Sequence, residues 1–324
     1  MFFICYNTFG QSPSLGQQVD NLLSDALFYT NKFISPSVDA AIYQSSSSWM
    51  NTPRKREFGT FDLGLHGNVF FVPKNNRSFV VSQSDLSFFE LPNNQPVEMP
   101  TAFGEDVDYS FTGNLGGIPL SISAPNGVNQ EQIVYPFLQG TFALWSGFEV
   151  VARYSTKVNL KRGDFQVYGF GLKHNFSQYI DYLEKKDIHL AVLVSRSFEN
   201  VNFDFIETNV QFLGDIGLNR ISGDVSTWQF QINGSKVWNR FELILSSITN
   251  VSNVKYSVSG NQSSLSQSLP IQSILNDQLK KQYETKINSV TEISGRYQIS
   301  DFHIQSSFAF GKFANLNLGV QYQF

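Results

Sequence analysis

Two short segments carry the same charged pattern: "FEVVARYS" at 148–155 and "TEISGRYQ" at 291–298 both read Glu-x-x-x-Arg-Tyr. Glu149 and Arg153 thus match Glu292 and Arg296, and Lys173 stands on a neighbouring alternating segment. On an extended strand, residues four apart share a face but lie about 13 Å apart, so neither pair can close on itself. Charges that share one face of several strands pair across strands instead. Such a cluster can be an internal polar network that fills and stiffens a barrel. It can also be a constriction that selects solutes by charge. The four histidines, His66, His174, His189 and His303, show no His-Glu-x-x-His or other metal-ligand spacing, so no metal is expected. His66, His189 and His303 take interior parity, the wrong side for a lipid-facing Ser–His pair, and no enzyme is expected. "GFGLKHN" is a strand with small inward residues and not a phosphate loop, so no cofactor is expected either.

The elements that position these charges are strands. "TFDLGLHGNVFFVP" sets Phe61, Leu63, Leu65, Val69 and Phe71 against Asp62, His66 and Asn68. "FQVYGFGLKH" sets Tyr168, Phe170 and Leu172 against Gly169, Gly171 and Lys173, and "DFHIQSSFAF" sets Phe302, Ile304, Phe308 and Phe310 against His303 and Gln305. Side chains alternate along a strand, so each run has one apolar and one polar face. Runs of about ten such residues are the signature of transmembrane barrel strands. The parse gives twelve strands, near 37–49, 58–72, 77–90, 133–145, 147–157, 164–175, 187–197, 224–235, 239–258, 286–299, 301–310 and 315–324. "VDYSFTGN" and "FDFIETNVQF" are strand-like too, which allows fourteen. A soluble all-β sandwich would explain the alternation, but less well the sided loop lengths and the aromatic content.

Composition agrees with a closed all-β, antiparallel transmembrane barrel. The 324 residues include 31 Phe and 13 Tyr, and only 15% are charged. A formal charge of −4 argues against nucleic acid as a partner. Mean hydropathy is −0.17, and the sequence contains no apolar run long enough for a membrane-spanning helix. With Phe324 placed in the periplasm, the turns at Ser300-Asp301 and Ser146-Gly147, "NGSK" (233–236) and "PKNNR" (73–77) are expected on that side. The long polar stretches 91–132, 198–223 and 259–285 are expected outside.

Residues 1–11 read as the apolar end of a secretory signal peptide lacking its basic start, or else as a short buried strand. Residues 12–36 form an N-terminal helical segment, with Val19, Leu22, Leu23, Ala26 and Leu27 in one apolar stripe. It either plugs the lumen or packs below the barrel. Residues 37–324 are assigned to the barrel. "NFSQYIDYLEKKD" is expected to be a short surface helix on the periplasmic side. The last strand, "NLNLGVQYQF", turns Leu316, Leu318, Val320, Tyr322 and Phe324 to lipid and pairs with the first strand. Tyr322 and Phe324 also look like the signal read by barrel-assembly machinery.

"TFALWSGFEVVARYSTKVNLKRGDFQVYGFGLKHNFSQYI" resembles the central signature of an uncharacterised Bacteroidota outer-membrane barrel family related to FadL and PorV. The matching residues are Glu149, Arg153, Tyr154, Gly169, Gly171, Lys173 and His174. The resemblance implies an outer-membrane, FadL-like barrel, usually of fourteen strands, with an N-terminal plug. It implies no substrate, because fold-level analogy does not carry one. The expected function is a plugged channel for a small hydrophobic or amphiphilic molecule. The alternative is a non-conducting, PorV-like subunit of an outer-membrane complex; a third reading is a structural barrel that receives surface lipoproteins. The expected partners are membrane lipid, assembly machinery, such a ligand or such a complex.

Overall fold

The computed structural model describes residues 13–204, 209–210, 214–215, 219–261 and 271–324. The leader read at residues 1–11 and part of the strand-like stretch 203–212 lie outside the described residues. Ten antiparallel strands form the barrel: β1 (Phe61–Phe71), β2 (Gln132–Ala143), β3 (Phe148–Tyr154), β4 (Gly163–Asn175), β5 (Ile188–Asp204), β6 (Arg220–Trp238), β7 (Phe241–Ser259), β8 (Glu284–Ile299), β9 (Phe302–Phe310) and β10 (Ala314–Gln323). Each pairs with its neighbour in the chain, and β10 returns to β1 with Leu65 opposite Val320. Closure gives each of the ten strands a neighbour on both sides, which is how a barrel pairs its backbone without water.

The twelve- or fourteen-strand expectation is therefore corrected to ten. Residues 37–49 do not form a strand. The N-terminal helix α1 (Leu15–Ser46) continues through Pro36, and Val38, Ala41, Ile42 and Ser45 follow its period. This part of α1 lies inside the barrel and is buried nearly all round. A segment walled in on every side needs no polar face, so alternation loses its meaning there. Within 77–90 only Ser78–Val81 is a strand, and it pairs with Val97–Pro100 outside the barrel. "VDYSFTGN" contributes Ser110–Leu115, which pairs with Ile118–Ser123 in a separate hairpin.

One end of the barrel carries short connections at 144–147, 239–240 and 300–301, where Ser146, Asn239 and Ser300 adopt positive φ. The longer connection 176–187 at this end holds the short helix α2 (Asp181–Glu184). The other end carries 72–131, 155–162, the described part of 260–283 with helix α3 (Ile271–Lys280), and 311–313. These are the turn end and the loop end. Two placements change. "NGSK" lies inside β6, with the turn three residues later. "PKNNR" opens the longest connection at the loop end, because β1 starts at the turn end.

Exposure alternates along β1 as the sequence predicts, with Asp62, Gly64, His66, Asn68 and Phe70 inward. Leu65, Val134, Phe170, Ile232 and Leu318 stand exposed on the outer wall. At the turn end Phe61 and Tyr322 pack against Phe324, with ring centres 5.6 and 4.7 Å apart. Phe58, Trp145 and Phe302 lie exposed at the same end. An apolar band edged by aromatic rings is the surface a lipid-facing barrel presents.

Candidate functional site: a lumen closed by its own chain

α1 begins with a capping box, Ser14 and Gln17 each bonding the other's backbone N–H. Its first half lies among the loop-end segments. Gly116 N donates to Gln18 Oε1 at 2.7 Å. The buried Asp25 carboxylate accepts the backbone N–H groups of Ser87, Phe88 and Phe89 at 2.7, 2.8 and 2.9 Å. Of the predicted stripe, Leu23 is buried, and Val19, Leu22 and Leu27 pack against the core beside it; Ala26 is half-buried. The stripe thus docks α1 to the loop-end cover. What fills the barrel is the part of the chain after it.

From Phe33 onward the chain descends. Asp39 meets Lys286 and Lys312. Tyr43 OH meets Asn288 Oδ1 at 3.3 Å, and Ser48 N donates to Glu292 Oε2 at 2.7 Å. Gln305 Nε2 then donates to Met50 O at 2.9 Å, and Thr52 Oγ1 to Glu242 Oε1 at 2.9 Å. α1 ends at Ser46, and residues 47–57 are neither helix nor strand. Buried backbone groups need partners, and here the wall supplies them. Arg153 donates to Ser47 O at 2.8 Å and Ser45 O at 3.3 Å. Lys173 Nζ donates to Thr52 O and Arg54 O, both at 2.8 Å. Asn175 Nδ2 donates to Pro53 O at 2.7 Å, and Gln229 bonds Ser46 O.

The five predicted charges divide into two groups. Glu149, directly opposite Lys173 on the neighbouring strand, accepts from both Lys173 and Arg56, and Arg56 also bridges to Asp62. Arg296 stands 3.8 Å from Glu242 and 3.9 Å from Asp62. These form one ion-pair cluster near the turn end, centred on an arginine of the lumenal segment. Arg153 and Glu292 are not in it; they hold backbone atoms of residues 45–48. All five side chains are buried, so they fill a closed lumen and do not rim an open one. The polar network has the additional task of holding the plug.

The sequence reading missed Trp49. Its ring is fully buried with Met50 against the inward residues Val151, Ala191, Leu193 and Ile244, an apolar cluster separate from the larger one nearer the loop end. Its Nε1–H returns to Ser45 O at 2.7 Å. The sequence places amides such as Gln229, Gln305 and Asn315 on polar strand faces, but nothing there marks them, or Gln139 and Asn175, as partners of the lumenal segment. The available signal was "SSSSWMNTPRK", an aperiodic stretch holding a large aromatic that has to be buried somewhere. Among the described residues no three His, Cys, Asp or Glu side chains group as metal ligands would.

At the loop end a cavity of about 640 Å³ lies directly against α1. Leu27, Phe28 and Pro36 of the helix and Phe79 of the long connection form its apolar part, and Lys32 and Lys312 supply cations.

A model of DUF6588, a family of unknown function, matches residues 1–324. The chain belongs to that family. No curated protein matches the DUF6588 chain. Solved structures similar to it include the translocator domain of autotransporter NalP from Neisseria meningitidis, at 8% identity and TM-score 0.36 over 94% of this chain and 98% of that one. The Ralstonia pickettii toluene transporter TbuX matches at 11% identity and TM-score 0.27, over 83% and 90% of the two chains. A Pseudomonas aeruginosa FadL homologue matches at 8% identity and TM-score 0.31, over 87% and 97%. Similarity at this level establishes no kinship, strand number or substrate for the DUF6588 chain.

Proposed function

We propose that the DUF6588 chain is an outer-membrane barrel, held shut by its own N-terminal segment, that handles a small hydrophobic or amphiphilic molecule at its loop end. The carrying observation is the cavity against α1: apolar side chains line part of it and Lys32 could meet an anionic head, while Lys312 is paired with Asp39 of the same lining. Passage then requires residues 37–57 to leave their wall partners. The short turns face the periplasm and the long connections the exterior, as in barrels of this construction. The reading uses no catalytic residue, cofactor or nucleic acid. The test is uptake of a fluorescent medium-chain fatty acid into liposomes by wild type and Trp49→Ala. Saturable binding to wild type and faster uptake with the variant are expected. Absence of both binding and uptake in either protein overturns the transport reading.

A second reading is favoured by a specific observation. The plug is held through many main-chain bonds to the wall, which suits a permanently closed subunit of a larger outer-membrane complex. Purification from native membranes separates the two; a barrel that always migrates alone counts against the complex. Biogenesis would in either case pass through the barrel-assembly machinery, with Tyr322 and Phe324 as its signal. Deleting Phe324 is expected to lower the membrane level of the protein, while the fraction that assembles loses only about 1 kcal/mol of aromatic contact. Wild-type membrane levels would remove that assignment.

A further inference from the structure

The lumenal segment has a direction. Read along β8, its contacts run Asp39–Lys286, Tyr43–Asn288 and Ser48–Glu292, from the loop end toward the turn end. Read along β10 and the turn before it, they run Asp39–Lys312, Ser47–Asn315 and Asn51–Gln321, in the same sense. Both ends of the barrel domain lie at the turn end, where Phe324 N donates to Phe61 O at 2.8 Å. An even number of strands returns the chain to the side it started from. The lumenal segment is one crossing more, so Leu15 stands on the face opposite Phe324.

We propose that this barrel carries its own N-terminal segment across the membrane, displaying the first half of α1 on the outer face. The proposal rests on the outer-membrane orientation given above and adds a polypeptide as a cargo of the lumen. The wall is suited to it. Arg153, Lys173, Asn175, Gln229 and Gln305 all bond carbonyl oxygens of the segment. Carbonyls are common to every residue, so a wall that grips them tolerates whatever sequence slides past. A few side chains of the segment are held as well: Asn51, Thr52 and Arg56 by polar wall groups, and Trp49 in an apolar seat about midway through the lumen. These mark where the passing chain stops.

Three single-cysteine variants in a Cys5→Ser background test this with a membrane-impermeant maleimide on intact cells. Lys281→Cys, exposed at the loop end, and Lys185→Cys, exposed at the turn end, report the orientation of the barrel. Asp20→Cys, exposed on α1, reports the N-terminal segment. Equal labelling of Asp20→Cys and Lys281→Cys is expected, with Lys185→Cys unlabelled until the outer membrane is permeabilised. Labelled Lys281→Cys with protected Asp20→Cys overturns the inference and leaves the orientation standing. Labelled Lys185→Cys with protected Lys281→Cys instead overturns the orientation on which it rests.

Discussion

The guanidinium of Arg153 lies 4.4 Å from the centre of the Trp49 ring and 4.1 Å from that of Phe137 on its other side. It is thus held between an aromatic of the plug and an aromatic of the wall. At the same time it donates to Gln139 Oε1 at 2.9 Å and to Ser47 O at 2.8 Å. A planar, delocalised cation can stack and fork at once, whereas an ammonium cannot. Arg153→Lys is expected to cost about 2–3 kcal/mol through lost charge-assisted bonds and stacking. The denaturant midpoint in detergent micelles, followed by tryptophan fluorescence, measures it. A lysine variant as stable as wild type would show that the stack holds nothing.

Trp49 is the other half of that contact, and truncating it empties the seat formed by Val151, Ala191, Leu193 and Ile244. Trp49→Ala is expected to destabilise by about 3–5 kcal/mol, the range for deleting a buried large aromatic. Ion conductance in planar bilayers, with brief openings absent from wild type, is the matching functional readout.

Glu149 neutralises two buried cations, Lys173 and Arg56. Each has other partners: Lys173 keeps the carbonyls of Thr52 and Arg54, and Arg56 keeps Asp62. Removing one member of a buried ion cluster costs about 3–5 kcal/mol because the remaining charge stays desolvated. Glu149→Gln is therefore expected at the low end of that range, near 3 kcal/mol. Glu149→Gln combined with Lys173→Met should recover part of the loss, which thermal melts of the wild type and the two variants would resolve.

The alternation legible in the sequence overlaps all ten wall strands and assigns the inward faces of β1, β4, β9 and β10 correctly, because a period of two survives wherever one face meets an apolar and the other a polar surrounding. It failed for residues 37–49, where the wall surrounds the chain and no contrast of faces exists. The charged residues Glu149, Arg153, Lys173, Glu292 and Arg296 were identified as interior from parity alone. Their partners were not, because Arg153 and Glu292 bond backbone atoms of a segment brought in from more than a hundred residues away. Main-chain acceptors leave no mark in a sequence. In the loop-end cover the same alternation suggests a wall strand over 77–90 and another at "VDYSFTGN", but Phe79, Phe89 and Phe111 pack onto Tyr29 and one another and not onto the barrel wall.

At the seam that closes the barrel, His66 lies directly opposite Gly319. Its ring stacks on Phe137 with centres 4.8 Å apart and planes within 6°, and its Nδ1 lies 3.0 Å from Asn317 Oδ1. A Cβ on Gly319 would overlap His66 Nδ1, so the glycine is required by the close approach of the ring. Gly319→Ala is expected to displace His66 at a cost of about 1–3 kcal/mol, typical of overpacking. Because β1 and β10 meet here, the loss should appear as slower closure, read as the rate at which the heat-modifiable folded band develops on gels. Unchanged folding rate and stability would show that the ring has room to move.

The loop-end cover is tied to the 155–162 turn by Asp106, which accepts from Arg162 Nη1 and from Lys161 Nζ. Those two hydrogen bonds hold its carboxyl down to about 2, below the ordinary 3.8. A depressed acid stabilises when ionised, so the tie is complete above pH 3.8 and disappears as pH falls through about 2. The carboxylate is exposed, so the tie is small and salt-sensitive. Asp106→Asn is expected to speed amide exchange in residues 101–131 and 155–163 at pH 7. In 1 M salt, where the screening length is about 3 Å, wild type should approach the variant. Below pH 2 the two proteins should exchange alike. A difference that persists there would assign the effect to the shape of the side chain and not to its charge.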